Sequence, residues 1–344
     1  MTYEIEKRML HFKQPAGTSR GVYTTRTIWL VRLSDGDREG MGECAPLPDL
    51  SCDAMDDETY ASILNKVCQD FCQTGELDVD ALRNYPSMLF GLETALLDVR
   101  CKKEDGRSIL FDTAFSRGEE GIPINGLVWM GNHEEMLQRM EQKLEQGFRC
   151  VKLKIGAIDF DQELDLIKRI RSRFSFHEVE LRLDANGAFP FSDALYKLEL
   201  LSQYAIHSIE QPIRQGQWAF MAELCRESPL PIALDEELIG VNDPEMKRHM
   251  LSIIKPRYII LKPSLHGGMA GCREWIAIAK ELGIGSWITS ALESNIGLNA
   301  IAQFASSVYG DGIRMPQGLG TGQLFTDNIP MPLVVIKDRI KIKT

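Results

Sequence analysis

Apolar and polar positions alternate through the first 45 residues, in YEIEKRML, in TIWLVRL and in the glycine-punctuated MGECAP. A period of two is the signature of strands with one buried face, so this stretch predicts an antiparallel sheet of three strands. Loops rich in Gly, Pro and Ser separate them near 14–24 and 46–56. The period then lengthens. Helices are predicted near 57–73 and 86–103, the second opened by Pro86, whose missing N–H costs nothing in a first helical turn. Together these elements form an α+β unit of about 110 residues.

From about residue 121 short apolar runs alternate with amphipathic stretches of ten to fifteen residues. The runs are IPINGLVW, CVKLKIG, VELRLDAN, IHSIEQP, LPIALDEE, YIILKPS and GSWITSALES; helices such as HEEMLQRMEQKLEQG and DFDQELDLIKRIRSRF lie between them. Strands alternating with helices predict parallel βαβ units. Seven such strands in about 170 residues are the content of a TIM-type barrel, with a doubly wound sheet as the competing arrangement. The last segment, VVIKDRIKIKT, alternates again and is expected to return to the first sheet, its lysine-rich end a solvated edge.

Composition narrows the function classes. The 344 residues carry 49 Asp and Glu against 39 Lys and Arg, a net charge of −10, which lacks the basic footprint of a nucleic-acid binder. An apolar fraction of 44% with 26% charged is ordinary for a globular chain and excludes collagen, coiled coil and disorder. No apolar run approaches the roughly 18 residues of a membrane span. The N-terminus reads as a strand and not as a signal peptide. Eight scattered cysteines without a CxxC pair read as free thiols of a cytoplasmic protein. A homo-oligomer is compatible with this chain, whose sequence does not fix the assembly.

Ionisable residues interrupt the apolar runs at regular places. Lys152 and Lys154 lie two apart, so both leave one face of one strand. Asp184, Glu210 and Asp235 each close a run, and Lys262 closes the next; the intervals from Lys154 are 30, 26, 25 and 27 residues. Each interval is about one βα repeat, so these groups are expected at one height on successive strands, the C-terminal mouth of a barrel. An unpaired buried charge is costly, so lysines and carboxylates facing one cavity compensate each other or a bound ion. Three carboxylates without His or Cys form a hard-oxygen site suited to Mg²⁺, with Mn²⁺ the alternative, and poorly matched to Zn²⁺. A protonated lysine cannot be a ligand, but a neutral one is a base. The layout therefore suggests proton removal from a carbon beside a carboxylate, with a metal stabilising the enolate.

VKLKIG, LDAN, IEQP, LDEE and LKPS, taken together, resemble the enolase superfamily and its muconate-lactonizing-enzyme-like subgroup. The resemblance spans essentially the whole chain and implies an α/β fold, an enolase-like modified (β/α)7β TIM barrel with an α+β capping domain. The implied division is 1–115 for the capping domain, completed by 316–344, and 116–315 for the barrel. GECAPLPDLS at 42–51, SALESNIGL at 290–298 and QGLGTGQLFTDN at 317–328 look like o-succinylbenzoate synthases, a family that dehydrates a succinyl-hydroxycyclohexadiene-carboxylate for menaquinone synthesis. The resemblance then implies Lys154 as the base that takes the α-proton and returns one to the departing hydroxide. Lys262 faces it, Lys152 orients the carboxylate, and Asp184, Glu210 and Asp235 hold the metal. Ser290 and Gly320 are implied contacts to the succinyl arm of this small carboxylate substrate.

A racemase of N-acylamino acids or an epimerase of dipeptides from the same subgroup is the alternative, since it uses the same lysine pair. Dipeptide epimerases present a D-x-D motif near the eighth strand, where this chain has Asp311 alone in SSVYGDGIRMPQG. A non-catalytic ligand-binding barrel is disfavoured because all six charged groups are present. Glu236, Glu237 and Glu293 are expected to support the site indirectly, and His266 lies near the mouth. The Arg20 loop is expected to meet a substrate carboxylate. The glycines of QGLGTGQ lack G-x-G-x-x-G spacing and a following helix, so no nucleotide site is expected.

Overall fold

In a computed structural model that describes residues 1–18, 21–104, 106–129 and 131–343, the chain opens with the three-stranded antiparallel sheet that its alternation predicts. The strands are β1 (Thr2–Thr18), β2 (Gly21–Asp35) and β3 (Arg38–Cys44). The alternation of β2 serves two cores at once. Trp29, Val31 and Leu33 pack with Tyr60 and Leu64 of α1 (Asp57–Thr74) and Leu92 and Ala95 of α2 (Pro86–Arg100). Ile28 and Leu30 face the other way, towards Ile296 and Phe325. A sheet buried on both sides cannot leave; it ties the first unit to the second.

The second helix stops at Arg100 and does not run to 103, because β4 (Lys102–Glu104) pairs with β5 (Arg107–Ile109) in a short hairpin. Against β3, α2 approaches so closely that a Cβ on Gly42 would stand 1.8 Å from the carbonyl oxygen of Gly91. Gly42→Ala is therefore expected to cost about 3 kcal/mol of stability by overpacking, read as a lower urea midpoint at unchanged slope.

After β6 (Ile122–Pro123) the βα repeats begin: β7 (Gly126–Val128), α3 (His133–Glu145), β8 (Cys150–Lys154), α4 (Phe160–Arg173), β9 (Glu180–Asp184) and α5 (Phe191–Ser202). They continue with β10 (Ser208–Glu210), α6 (Trp218–Glu227), β11 (Ile232–Leu234), α7 (Pro244–Ile254), β12 (Tyr258–Leu261), α8 (Gly268–Glu281), β13 (Gly285–Ile288) and α9 (Asn295–Tyr309). Strands β7 to β13 lie side by side in chain order, all parallel. Gln317 and Gly318 then close the ring, bridging in parallel to Ile124 on one side and Thr289 on the other. The result is the barrel and not the doubly wound sheet. Gln317 and Gly318 form its eighth stave.

The C-terminal segment also differs from expectation. β14 (Leu333–Ile336) and β15 (Arg339–Ile342) form a hairpin that pairs with β6 and not with the first sheet. Alternation fixes a strand but not its partner; here a tight turn at Lys337, at φ 54°, folds the segment on itself beside Ile122 and Pro123. The return to the first sheet occurs earlier. Phe12 bridges Phe325, and Lys13 N–H donates to the Leu324 carbonyl at 2.8 Å.

Candidate active site

The register of the barrel strands puts the charged residues in a row. Lys154 is the cross-strand partner of Asp184, and Asp184 is the partner of Glu210, each at the C-terminal end of its strand. Asp235 and Lys262 directly follow the ends of β11 and β12. With Ser290 and Gly320 they line one cavity of about 420 Å³, so all eight candidate residues, Lys152 included, meet at a single mouth. The strand bearing Lys154 and the strand preceding Lys262 are four positions apart in a ring of eight, so the two lysines enter from opposite walls.

The charges are buried and paired. Lys152 donates to Glu210 Oε2 at 2.8 Å and lies 3.0 Å from Asp184 Oδ2. Lys154 lies 3.1 Å from the same Asp184 oxygen and donates to Asn186 Oδ1 at 2.7 Å. Lys262 pairs with Asp235 Oδ2. Burial alone disfavours every one of these charges, and the partners decide the outcome. Asp184 is held below the usual carboxylate range by Lys152 and Lys154 against burial. Lys262 is raised above the usual lysine value by Asp235, and Lys152 by Asp184 and Glu210, again against burial. Glu210 goes the other way, pushed up by burial and by the neighbouring Asp184. Glu236 is pushed up to about 7 by burial, Asp235 and Asp184.

These are too many carboxylates for the cations around them. Among the described residues Glu210 Oε1, Asp235 Oδ1 and Glu236 Oε2 are buried without a hydrogen-bond partner. Among the described residues no three acidic, His or Cys side chains converge as a preformed metal cage, the carboxylates of Asp184, Glu210 and Asp235 being turned onto lysines. The donors themselves fit a hard divalent cation: oxygen ligands only, on rigid strands, two of them with an oxygen to spare.

Asn186 escaped the sequence reading. It accepts from Lys154, and its amide donates to Glu236 Oε1 at 2.9 Å, linking Lys154 and Glu236 in one run of hydrogen bonds. Its φ of 44° is a conformation Asn tolerates better than most residues, and LDAN carried that signal two residues after an acid. Glu236 lines the cavity, whereas Glu237 accepts from Gln211 and the Gly216 N–H. Glu293 accepts from the Ala291 N–H at 2.6 Å. His266 is fully buried, and its Nδ1 accepts the Lys262 backbone N–H at 2.8 Å. Asp311 is exposed and accepts from the Ala114 N–H, away from the cavity; at the end of the eighth strand the lining residues are Gly318, Gly320 and Thr321. Arg20 lies outside the described residues. No helix among the described residues is long and apolar enough to cross a membrane.

The first unit roofs the cavity with Phe12, Pro15, Tyr23, Leu47 and Leu50. Glu43 anchors that roof, accepting from the Ser294 and Gly297 N–H groups at 2.8 and 2.9 Å at the start of α9. Burial pushes its carboxyl up to about 7, with Glu293 adding to the rise while the Ser294 bonds oppose it. Between pH 4.5 and 7 the folded chain thus keeps a proton that the unfolded chain releases, so this contribution is complete below 4.5 and is lost as pH rises through 7. Urea unfolding at pH 5 and pH 8 is expected to show a loss of up to about 3 kcal/mol from this group. Glu43→Gln should remove this share of the difference, while Glu93, also pushed up to about 7 by burial, keeps its own.

The family description "Enolase C-terminal domain-like" matches residues 135–339, and "MenC, N-terminal domain" matches 18–99. The o-succinylbenzoate synthase of Desulfotalea psychrophila is 46% identical over 97% of this chain and 97% of its own length. The crystal structure of MenC from that organism superposes with a TM-score of 0.83 at 41% identity, covering 99% of both chains. The N-succinylamino acid racemase of Thermus thermophilus is 30% identical over 81% of this chain and 75% of its own. The substrate-liganded L-Ala-D/L-Glu epimerase of Bacillus subtilis shares the fold, with a TM-score of 0.82 at 20% identity over 99% of this chain and 96% of that one. Barrel, cap and near-full-length identity agree, and the chain belongs to the o-succinylbenzoate synthase family of the enolase superfamily.

Proposed function

We propose that this chain dehydrates 2-succinyl-6-hydroxy-2,4-cyclohexadiene-1-carboxylate to o-succinylbenzoate, a step of menaquinone biosynthesis in the cytoplasm. The observation that carries the reading is the pair of lysines entering one cavity from opposite walls, with three strand-end carboxylates between them. The substrate loses the proton on C1 and the hydroxyl on C6, and only a base close to both can take the first and return a proton to the second. Lys154, as the neutral amine, removes the C1 proton. The electron pair spreads into the carboxylate, and its return expels the C6 hydroxyl as the Lys154 ammonium protonates it, so water leaves and the ring becomes aromatic. Lys262 stabilises the developing enediolate from the far face, and Lys152 orients the carboxylate. Ser290 and Gly320 hold the succinyl arm.

Enolase-superfamily members depend on a divalent cation. Here Asp184, Glu210 and Asp235 would hold Mg²⁺, or Mn²⁺ in its place. The ion supplies positive charge where the enediolate forms. Residues 1–115, with the returning segment, serve as the lid that excludes water from the carbanion.

An ultraviolet assay of this cyclohexadiene carboxylate, with and without chelator, tests the reading. Aromatisation that depends on added metal is the expected result, and unchanged absorbance with metal present overturns it. The racemase alternative draws on the 30% identical Thermus thermophilus protein and is tested by α-proton exchange of N-succinylamino acids in D2O. Against dipeptides stands the end of the eighth strand, where Gly318, Gly320 and Thr321 offer no carboxylate to a substrate ammonium.

A further inference from the structure

Arg26 belongs to β2 of the first sheet, yet it is only 3% exposed and reaches across to the barrel. Among the described residues its four hydrogen bonds all end on main-chain carbonyls. Two are on the loop after β3, Ala45 at 2.6 Å and Pro46. Two are on the loop after β13, Leu292 at 3.3 Å and Ala291 at 3.5 Å. A buried guanidinium is costly unless its field is compensated. Glu293 and Glu43 are the carboxylates that offset its burial, and both accept hydrogen bonds from the same loop instead, from the Ala291 N–H and from the Ser294 N–H.

That loop is under strain. Leu292 has φ 65°, a left-handed backbone that an ordinary side chain avoids and that persists only where neighbours enforce it. Leu47, Ala291 and Leu292 all line the cavity, beside Ser290. The planar fork of an arginine suits the task, because one rigid group can hold carbonyls from two segments at fixed separation.

We propose that Arg26 is a positioning residue for substrate selection. By clasping the carbonyls of Ala45 and Pro46 to those of Ala291 and the strained Leu292, it sets the wall that receives the substrate's arm. For the identity of that substrate the inference rests on the dehydration proposed above. The clasp itself is a matter of two loops and can be read without turnover.

The test compares the full-length wild type with Arg26→Lys, Arg26→Met, Leu292→Gly and the double variant Arg26→Lys with Leu292→Gly. Arg26→Lys keeps the charge and loses the fork. It is expected to raise KM about tenfold while kcat stays within about threefold, because binding geometry is lost and the reacting groups are not. Hydrogen exchange should quicken in peptides spanning 289–294 and 45–50 and stay unchanged in α1. Glycine takes φ 65° without strain, so in the Leu292→Gly background Arg26→Lys should change KM by less than about threefold.

A folded Arg26→Lys with wild-type KM and exchange overturns the proposal. So does a lower melting temperature with KM and loop exchange unchanged, or a full tenfold effect in the Leu292→Gly background. Should Arg26→Met fail to fold, Arg26→Lys and the exchange of its two loops decide. A wild type that leaves the cyclohexadiene carboxylate unchanged would refute the dehydration, and the exchange measurement would still decide the clasp.

Discussion

Lys154→Ala is expected to lower kcat by about 10⁴-fold at nearly unchanged KM, the largest loss of any single side chain in this cavity. Lys154 is 8% exposed, and its amine sits 3.1 Å from Asp184 Oδ2 and 2.7 Å from Asn186 Oδ1, held at one spot before any substrate arrives. No neighbour can substitute for it. Lys152 is committed to Glu210 and Asp184, and Lys262 stands across the cavity with Asp235. Lys154→Arg should be about as inactive as the alanine variant, since a guanidinium cannot become neutral and accept a proton. Lys262→Arg should retain far more activity, because its proposed task is to be a cation. The contrast between the two arginine variants separates base from electrostatic partner in a way that alanine alone does not. Steady-state rates, with α-proton exchange in D2O as the readout of proton removal, decide it. Full turnover by Lys154→Ala would refute the assignment.

Much of this site was legible because a parallel barrel is a repeating ruler. One βα unit is about 27 residues, so charges spaced by 25 to 30 residues at the ends of apolar runs had to reach one height. The seven strands were legible for the same reason: residues buried on both faces read as continuous apolar runs. The eighth was not, because Gln317 and Gly318 carry no apolar run, and their strand is made by what stands on either side, Ile124 and Thr289. Asn186 left only a faint trace, a turn-forming Asn two residues after Asp184, and Arg26 left none. A single arginine within a strand is told from a solvated surface residue only by its three-dimensional neighbours. The C-terminal hairpin shows the limit of periodicity, which gives a strand its faces but leaves its partner open.

Chelation is expected to abolish turnover, with restoration by Mg²⁺ or Mn²⁺, and the carboxylates should divide the loss unequally. Asp184 is met by two lysines, whereas Glu210 and Asp235 each keep a buried oxygen without a partner among the described residues. Asn at 235 preserves shape and removes one charge, leaving Lys262 without its carboxylate. Asp235→Asn should weaken Mg²⁺ binding by about 100-fold, shifting the Mg²⁺ dependence of kcat to higher concentration. Glu210→Gln should do the same, since burial and Asp184 already make its charge costly and only a nearby cation compensates it. Free Mn²⁺ measured by electron paramagnetic resonance gives the affinity independently of catalysis. Wild-type metal affinity in both variants would remove Glu210 and Asp235 from the ligand set. Weakened affinity with kcat recovered at saturating Mg²⁺ would confine their role to holding the ion. A kcat that stays low at saturation would mean that their charges also fix Lys152 and Lys262, the cations each carboxylate holds across the mouth.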